Sequence, residues 1–214
     1  MKRYIVCFIF LSILKGFGNA RVGTIILQGG IGTDITLKNT MNSVYYQQIN
    51  DYLLEDKTTT LNIIICTPGG NLEEAVLIYD YINSLRRSGI KVNTIASGIC
   101  MSAGMIILQA GDVRYAGRNT LLMTHKGYLV WPPTTEPTPM KERDLKETER
   151  SLQIVHNQML GIFSYRMRKP LWWLEQFFTD DEYFMDANSA YQNGFIDSII
   201  YDTDFFQHKM EVKK

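Results

Sequence analysis

The chain has 214 residues, 45% of them hydrophobic and 21% charged, which is ordinary for one globular domain with a sizeable core. Twenty-two basic residues balance twenty-two acidic ones, and with no dense Lys/Arg run this argues against nucleic acid as the main partner. No collagen-like, coiled-coil or low-complexity period occurs, nor any internal repeat.

The first twenty residues differ from the rest. Lys2 and Arg3 precede an apolar run, Tyr4 to Leu14, and Gly18-Asn19-Ala20 offers small residues where a signal peptidase reads. This layout predicts a secretory signal over residues 1–20, the run being short for a membrane span. A buried first element or an uncleaved anchor are the alternatives. Cleavage would remove three cations and no acid, leaving the remainder acidic. It would place the protein outside the cytoplasm, periplasmic or secreted; otherwise it is cytoplasmic. Of three cysteines, Cys7 would leave with the signal. In an oxidising compartment Cys66 and Cys100 could pair, but two cysteines are no disulfide framework, and the favoured reading is two free, buried thiols acting as small hydrophobes.

Arg21 to Leu27 reads as a strand ended by Gln28-Gly29-Gly30, and Leu37 to Leu54 has helical spacing. Leu61 to Cys66 is a nearly continuous apolar run, as in a strand buried on both faces. Pro68-Gly69-Gly70 turns the chain into an amphipathic helix carrying Leu72, Ala75, Val76, Tyr79, Ile82 and Leu85 on one side. Glu73 and Glu74 in its first turn and Arg86 and Arg87 in its last match the helix dipole, and Gly89 supplies the stop. A strand at Val92 to Ala96, a Gly-containing turn and a helix from about Met101 to Ala110 follow. Short strands are expected near Arg114 to Ala116 and Thr120 to Thr124, then a long helix from about Lys141 to Arg168, broken at Pro170. Residues 131–140 hold four of the six prolines and read as an exposed loop. Strands alternating with helices in this way specify an α/β fold with a mostly parallel sheet.

Three features carry chemistry. Ser102 opens a helix directly after a strand, so its hydroxyl can project into a cleft beside the amide of Ala103. Gly69 and Gly70 can bring a second amide close because no side chain intervenes. His125, at the end of another strand, can take the serine proton and pass it on. Taken singly, each has a plainer reading: a helix cap, a packed histidine, a turn. Together they are the parts needed to attack a carbonyl and hold the resulting oxyanion. His156 and His208 lack metal-ligand spacing and read as structural or exposed, and no Gly-x-x-x-x-Gly-Lys phosphate loop occurs.

The order and spacing of these features resemble the proteolytic subunit of the Clp protease, a serine peptidase family of the ClpP/crotonase fold, over about residues 21–200. Thr67-Pro68-Gly69-Gly70 with Ile78-Tyr79-Asp80 resembles that family's Ser-Pro-Gly-Gly and Ile-Tyr-Asp. Cys100 to Gly104 stands where the family has Ala-Ala-Ser-Met-Gly, and Leu122-Met123-Thr124-His125 resembles the strand that ends in its general base. Tyr183 to Ala187 and Gly194 to Ser198 are similar to its closing segments.

The resemblance implies a spiral of repeated β-β-α units in one domain over 21–203, with the loop at 131–140 and a tail at 204–214. It implies Ser102 as nucleophile, His125 as base, and the amides of Gly70 and Ala103 as oxyanion donors. The family's aspartate falls on Phe178, which cannot accept the imidazole hydrogen bond; Asp180, close by in Asp180-Asp181-Glu182, is the expected substitute. A Ser–His dyad with a water or backbone partner is the alternative, and a solvated turn is the plainer reading of the three acids. The implied substrate is a peptide or unfolded protein, the implied assembly a homo-oligomeric ring, and no cofactor is called for. The family's pore-lining segment looks absent ahead of the first strand, and the Pro-rich stretch replaces its handle. With export, these departures argue against an ATP-driven unfoldase partner. A degenerate subunit that assembles or binds peptide without cleaving, and a crotonase-type acyl-CoA enzyme, are the competing functions.

Overall fold

The structure is a computed structural model, and it describes residues 22–32, 58–127 and 142–201. The expected leader, the helix at 37–54, the Pro-rich loop, the tail and His208 lie outside the described residues. The chain forms two compact units, one of Met1–Leu122 with Met185–Lys214 and the other of Met123–Phe184.

The first unit is built on parallel strands. β1 (Val22–Gln28), β2 (Thr60–Thr67), β3 (Lys91–Met101), β4 (Val113–Gly117) and, after the chain returns, β7 (Ser198–Ile200) pair in that order, every pairing parallel. Leu61, Ile63, Ile64 and Ile65 of β2 are all buried, which accounts for the nearly continuous apolar run: a central parallel strand has no wet face. Between β2 and β3 lies α1 (Leu72–Arg87), opened by Asn71, whose Oδ1 accepts a hydrogen bond from the Glu74 amide at 2.9 Å. Its end closes through Gly89 at φ +92°, with the Ile90 amide bonded back to the Leu85 carbonyl.

β3 is longer than the sequence suggests. It runs through Ser97-Gly98-Ile99 to Met101, where a turn after Ala96 was expected. Gly98 takes φ +71°, and the register with β2 shifts from Ile65↔Ala96 to Thr67↔Cys100. The glycine therefore makes a bulge inside a continuing strand, not a turn that ends it. The following helix, α2 (Ala103–Leu108), is shorter than expected and wholly buried.

Polar side chains also tie strands together in this unit. Asn93 donates to Asn62 on the next strand at 2.8 Å. Arg114, buried on β4, donates from Nε and Nη2 to the two carboxylate oxygens of Asp197 at 3.0 and 2.6 Å, and from Nη1 to Gln109 Oε1. The Asp197 carboxylate also accepts the Arg114 amide. This ties β4 to the residue that introduces β7.

β5 (Leu121–Thr124) leads into the second unit and β6 (Tyr183–Met185) leads out, followed by α5 (Ala187–Gln192), capped by Asp186 through the Ser189 amide. The second unit is dominated by α3 (Glu142–Met167). His156, Met159, Leu160, Phe163 and Met167 are its buried stripe, at helical spacing. Arg168 turns left-handed at φ +54°, and Pro170 opens the short α4 (Leu171–Leu174), which tightens into a 3-10 turn at Glu175–Phe177. Among the described residues no helix is long and apolar enough to cross a membrane.

Candidate active site

Ser102 stands between β3 and α2 with φ +52° and ψ −118°. A β-substituted residue occupies this region at a cost of about 1–3 kcal/mol, so the surrounding packing has to hold it. Its side chain makes no capping hydrogen bond to α2, which removes the plainer reading of a helix-capping serine. The Met105 amide closes the first turn on the Ser102 carbonyl at 2.9 Å.

The Thr67-Pro68-Gly69-Gly70 segment interlocks with this turn. A Cβ built on Gly69 would lie 2.7 Å from Ser102 Cβ and 3.3 Å from its Oγ. A Cβ on Gly104 would overlap the methyl of Thr67. Each segment thus supplies a glycine where the other supplies a side chain. Thr67 is fully buried and its Oγ1 accepts the Gly69 amide at 3.0 Å, fixing the turn from within.

Gly70, at φ +141°, bridges to Ile31, a buried residue that the sequence did not single out. The Ile31 amide donates to the Gly69 carbonyl at 2.8 Å, and the Asn71 amide donates to the Ile31 carbonyl at 2.9 Å. The bridge uses the groups on either side of the Gly70 amide and not that amide itself. A Cβ on Gly70 would run into the Ile31 carbonyl, so only glycine lets the two chains approach. The Ala103 amide is the first of α2 and has no partner one turn earlier.

Cys66 and Cys100 flank this region as free thiols, Cys66 half-buried and Cys100 fully buried. Burial pushes the Cys100 thiol well up, and Cys66 adds to this, so Cys100 stays protonated.

His125 belongs to the second unit, one residue beyond the end of β5. Its Nδ1 lies 2.6 Å from the Lys126 carbonyl oxygen. A carbonyl only accepts, so Nδ1 carries the proton in this contact and the neutral ring keeps its Nε2 lone pair. The segment is held on both sides: Thr124 Oγ1 donates to the Phe177 carbonyl at 2.6 Å, and the Lys126 amide donates to the Thr179 carbonyl at 2.7 Å.

Phe178, between those two carbonyls, is buried against Phe163 of α3 with ring centroids 4.7 Å apart. Where the resemblance expects an acid, the second unit therefore has a core aromatic. Asp180, the expected substitute, has a side chain 93% exposed, and its carboxylate lies 3.8 Å from Lys126 Nζ. Asp181 and Glu182 are exposed as well.

His156 fits the structural one of its two expected readings. It is buried, and among the described residues its Nδ1 has no hydrogen-bond partner. Burial holds its imidazole below the ordinary range and the Lys126 ammonium adds to this, while Glu175 and Asp180 pull the other way. Its place in the α3 stripe was the available signal.

A family model described as Clp protease matches residues 24–203. The chain belongs to the Clp protease family. It is 29% identical over 147 residues to the ATP-dependent Clp protease proteolytic subunit of Cyanophora paradoxa, covering 68% of this chain and 70% of that protein. To the protein of the same description from Spinacia oleracea it is 30% identical over 148 residues, with the same coverage. To that of Nicotiana tabacum it is 26% identical over 146 residues, again with that coverage. Within this family the strained serine turn, its interlocked glycines and the histidine with a protonated Nδ1 all lie inside the matched residues.

Proposed function

We propose that this Clp-family chain is a serine endopeptidase acting on peptides and unfolded chains. Ser102 is the nucleophile, His125 the base, and the amides of Gly70 and Ala103 the oxyanion donors. The observation that carries the reading is the backbone of Ser102. A non-glycine residue held left-handed between a strand and a helix, with a glycine turn packed against its side chain and no capping bond to the helix, supports a role in reaction over one in capping.

In the first step Ser102 Oγ bonds to the substrate carbonyl carbon as its proton passes to His125 Nε2, and the carbonyl oxygen becomes an oxyanion facing backbone amides. The C–N bond then breaks, and the Nε2 proton leaves on the amine. In the second step a water gives its proton to Nε2, its oxygen bonds to the acyl carbon, and Ser102 recovers the proton as the acid departs. Because Nδ1 keeps its own proton throughout, Nε2 alone does the shuttling.

A fluorophosphonate probe is expected to label the assembled protein on Ser102, with labelling and peptide hydrolysis both lost in Ser102→Ala. An unlabelled wild type ends the reading. The burial of Phe178 at the family's acid position favours one other reading, a subunit that assembles or binds peptide without cleaving. Hydrolysis that disappears in His125→Ala eliminates it.

Assembly into a homo-oligomeric ring and work outside the cytoplasm without an unfoldase remain part of the proposal. The mass of the native protein and of its mature chain tests both ring and leader.

A further inference from the structure

We infer that the group orienting His125 is the backbone carbonyl of Lys126, in place of a carboxylate. The inference rests on His125 acting as the base, and it names the partner of that base.

A general base of this kind needs its distal nitrogen protonated and its ring held still. Any acceptor on Nδ1 meets the first need. The second depends on whether the acceptor is itself fixed. The Lys126 carbonyl oxygen accepts at 2.6 Å, and residue 126 is fixed through its amide to the Thr179 carbonyl. One residue earlier, Thr124 is buried and bonded to the Phe177 carbonyl. Phe178 lies between these two attachment points, and its ring is packed on Phe163. The aromatic that displaces the acid therefore helps to anchor the strip that carries the substitute acceptor.

Asp180 is poorly suited to the task. Its side chain is 93% exposed and its carboxylate pairs with the Lys126 ammonium, itself 41% exposed. A surface pair of this kind contributes little and is screened by salt, so it cannot hold an imidazole in one orientation. A carbonyl costs something in exchange. It carries no full charge and stabilises the imidazolium less than a carboxylate would, so this enzyme is expected to be slower than one with an intact acid, with its tautomer nonetheless correct.

The test is 15N NMR of sedimented, histidine-labelled protein at pH 8, with His125 assigned through His156→Gln and His208→Gln. The expected result is Nδ1 protonated and Nε2 bare, in wild type and in Asp180→Asn alike, with kcat for a peptide substrate falling by less than about threefold in the variant. An Nε2-protonated ring in wild type overturns the inference. So does a tautomer that changes in Asp180→Asn, or a hundredfold fall in kcat there. A protein that shows the expected tautomer but takes no fluorophosphonate on Ser102 supports the carbonyl assignment while sinking the peptidase reading, so the two failures are distinct.

Discussion

A Cβ on Gly69 would lie 2.7 Å from the Cβ of Ser102, closer than side-chain carbons approach. Gly69 also sits at φ +103°, where an L side chain is strained. Gly69→Ala therefore has to displace the serine turn or unwind its own. Misplacing a reacting group by about 1 Å can cost on the order of 10²-fold in rate, and a fall of that size in kcat is expected, with fluorophosphonate labelling slowed in parallel. Gly89→Ala is the control. It is equally left-handed at φ +92° but has open space around the new Cβ, so it is expected to lower stability while leaving kcat near wild type.

The Arg114–Asp197 pair carries structural weight in the first unit. Arg114 is buried, and two of its nitrogens end on one carboxylate. Asp197→Ala would leave a buried guanidinium without its counter-charge. Breaking such a pair costs about 3–5 kcal/mol, and because Asp197 is 38% exposed the lower end is expected. Urea unfolding followed by far-ultraviolet circular dichroism measures it. A loss below about 1 kcal/mol would mean that solvent already screens the pair.

Acid is expected to loosen the second unit through His156. Its folded-state imidazole lies below the ordinary value because of burial first and Lys126 second, so the unfolded chain binds the proton more readily. Stability is then full above the unfolded value of about 6.5 and falls as pH drops through that value toward the folded one. His156→Leu removes the group and should flatten stability between pH 7 and 5. Melting temperature against pH, compared between wild type and variant, reads this directly, and parallel curves would contradict it.

Cys66 and Cys100 should separate in their reactivity. The thiolate is the reactive form, and burial keeps Cys100 a thiol. Iodoacetamide on the native protein at pH 8 is expected to modify the half-buried Cys66 and spare Cys100 until the chain is unfolded. Peptide mapping by mass spectrometry distinguishes the two, and early alkylation of Cys100 would mean that β3 opens in the native state.

Much of the architecture was legible along the chain because burial leaves a periodic trace. The apolar run at residues 61–66 marked a strand wet on neither face, and the stripe from Leu72 to Leu85 with its charged ends marked α1. Glycines were legible as motif letters, yet their purposes came only from three dimensions. Gly98 makes a bulge instead of a turn, Gly69 leaves space for Ser102, and Gly70 leaves space for the Ile31 carbonyl. Which residue a missing Cβ would strike depends on segments far apart in sequence, and local pattern has no access to that. The same holds for Phe178 and Lys126. A linear reading could find the absence of an acid, but whether a neighbouring carbonyl turns toward the imidazole depends on backbone angles set by distant hydrogen bonds.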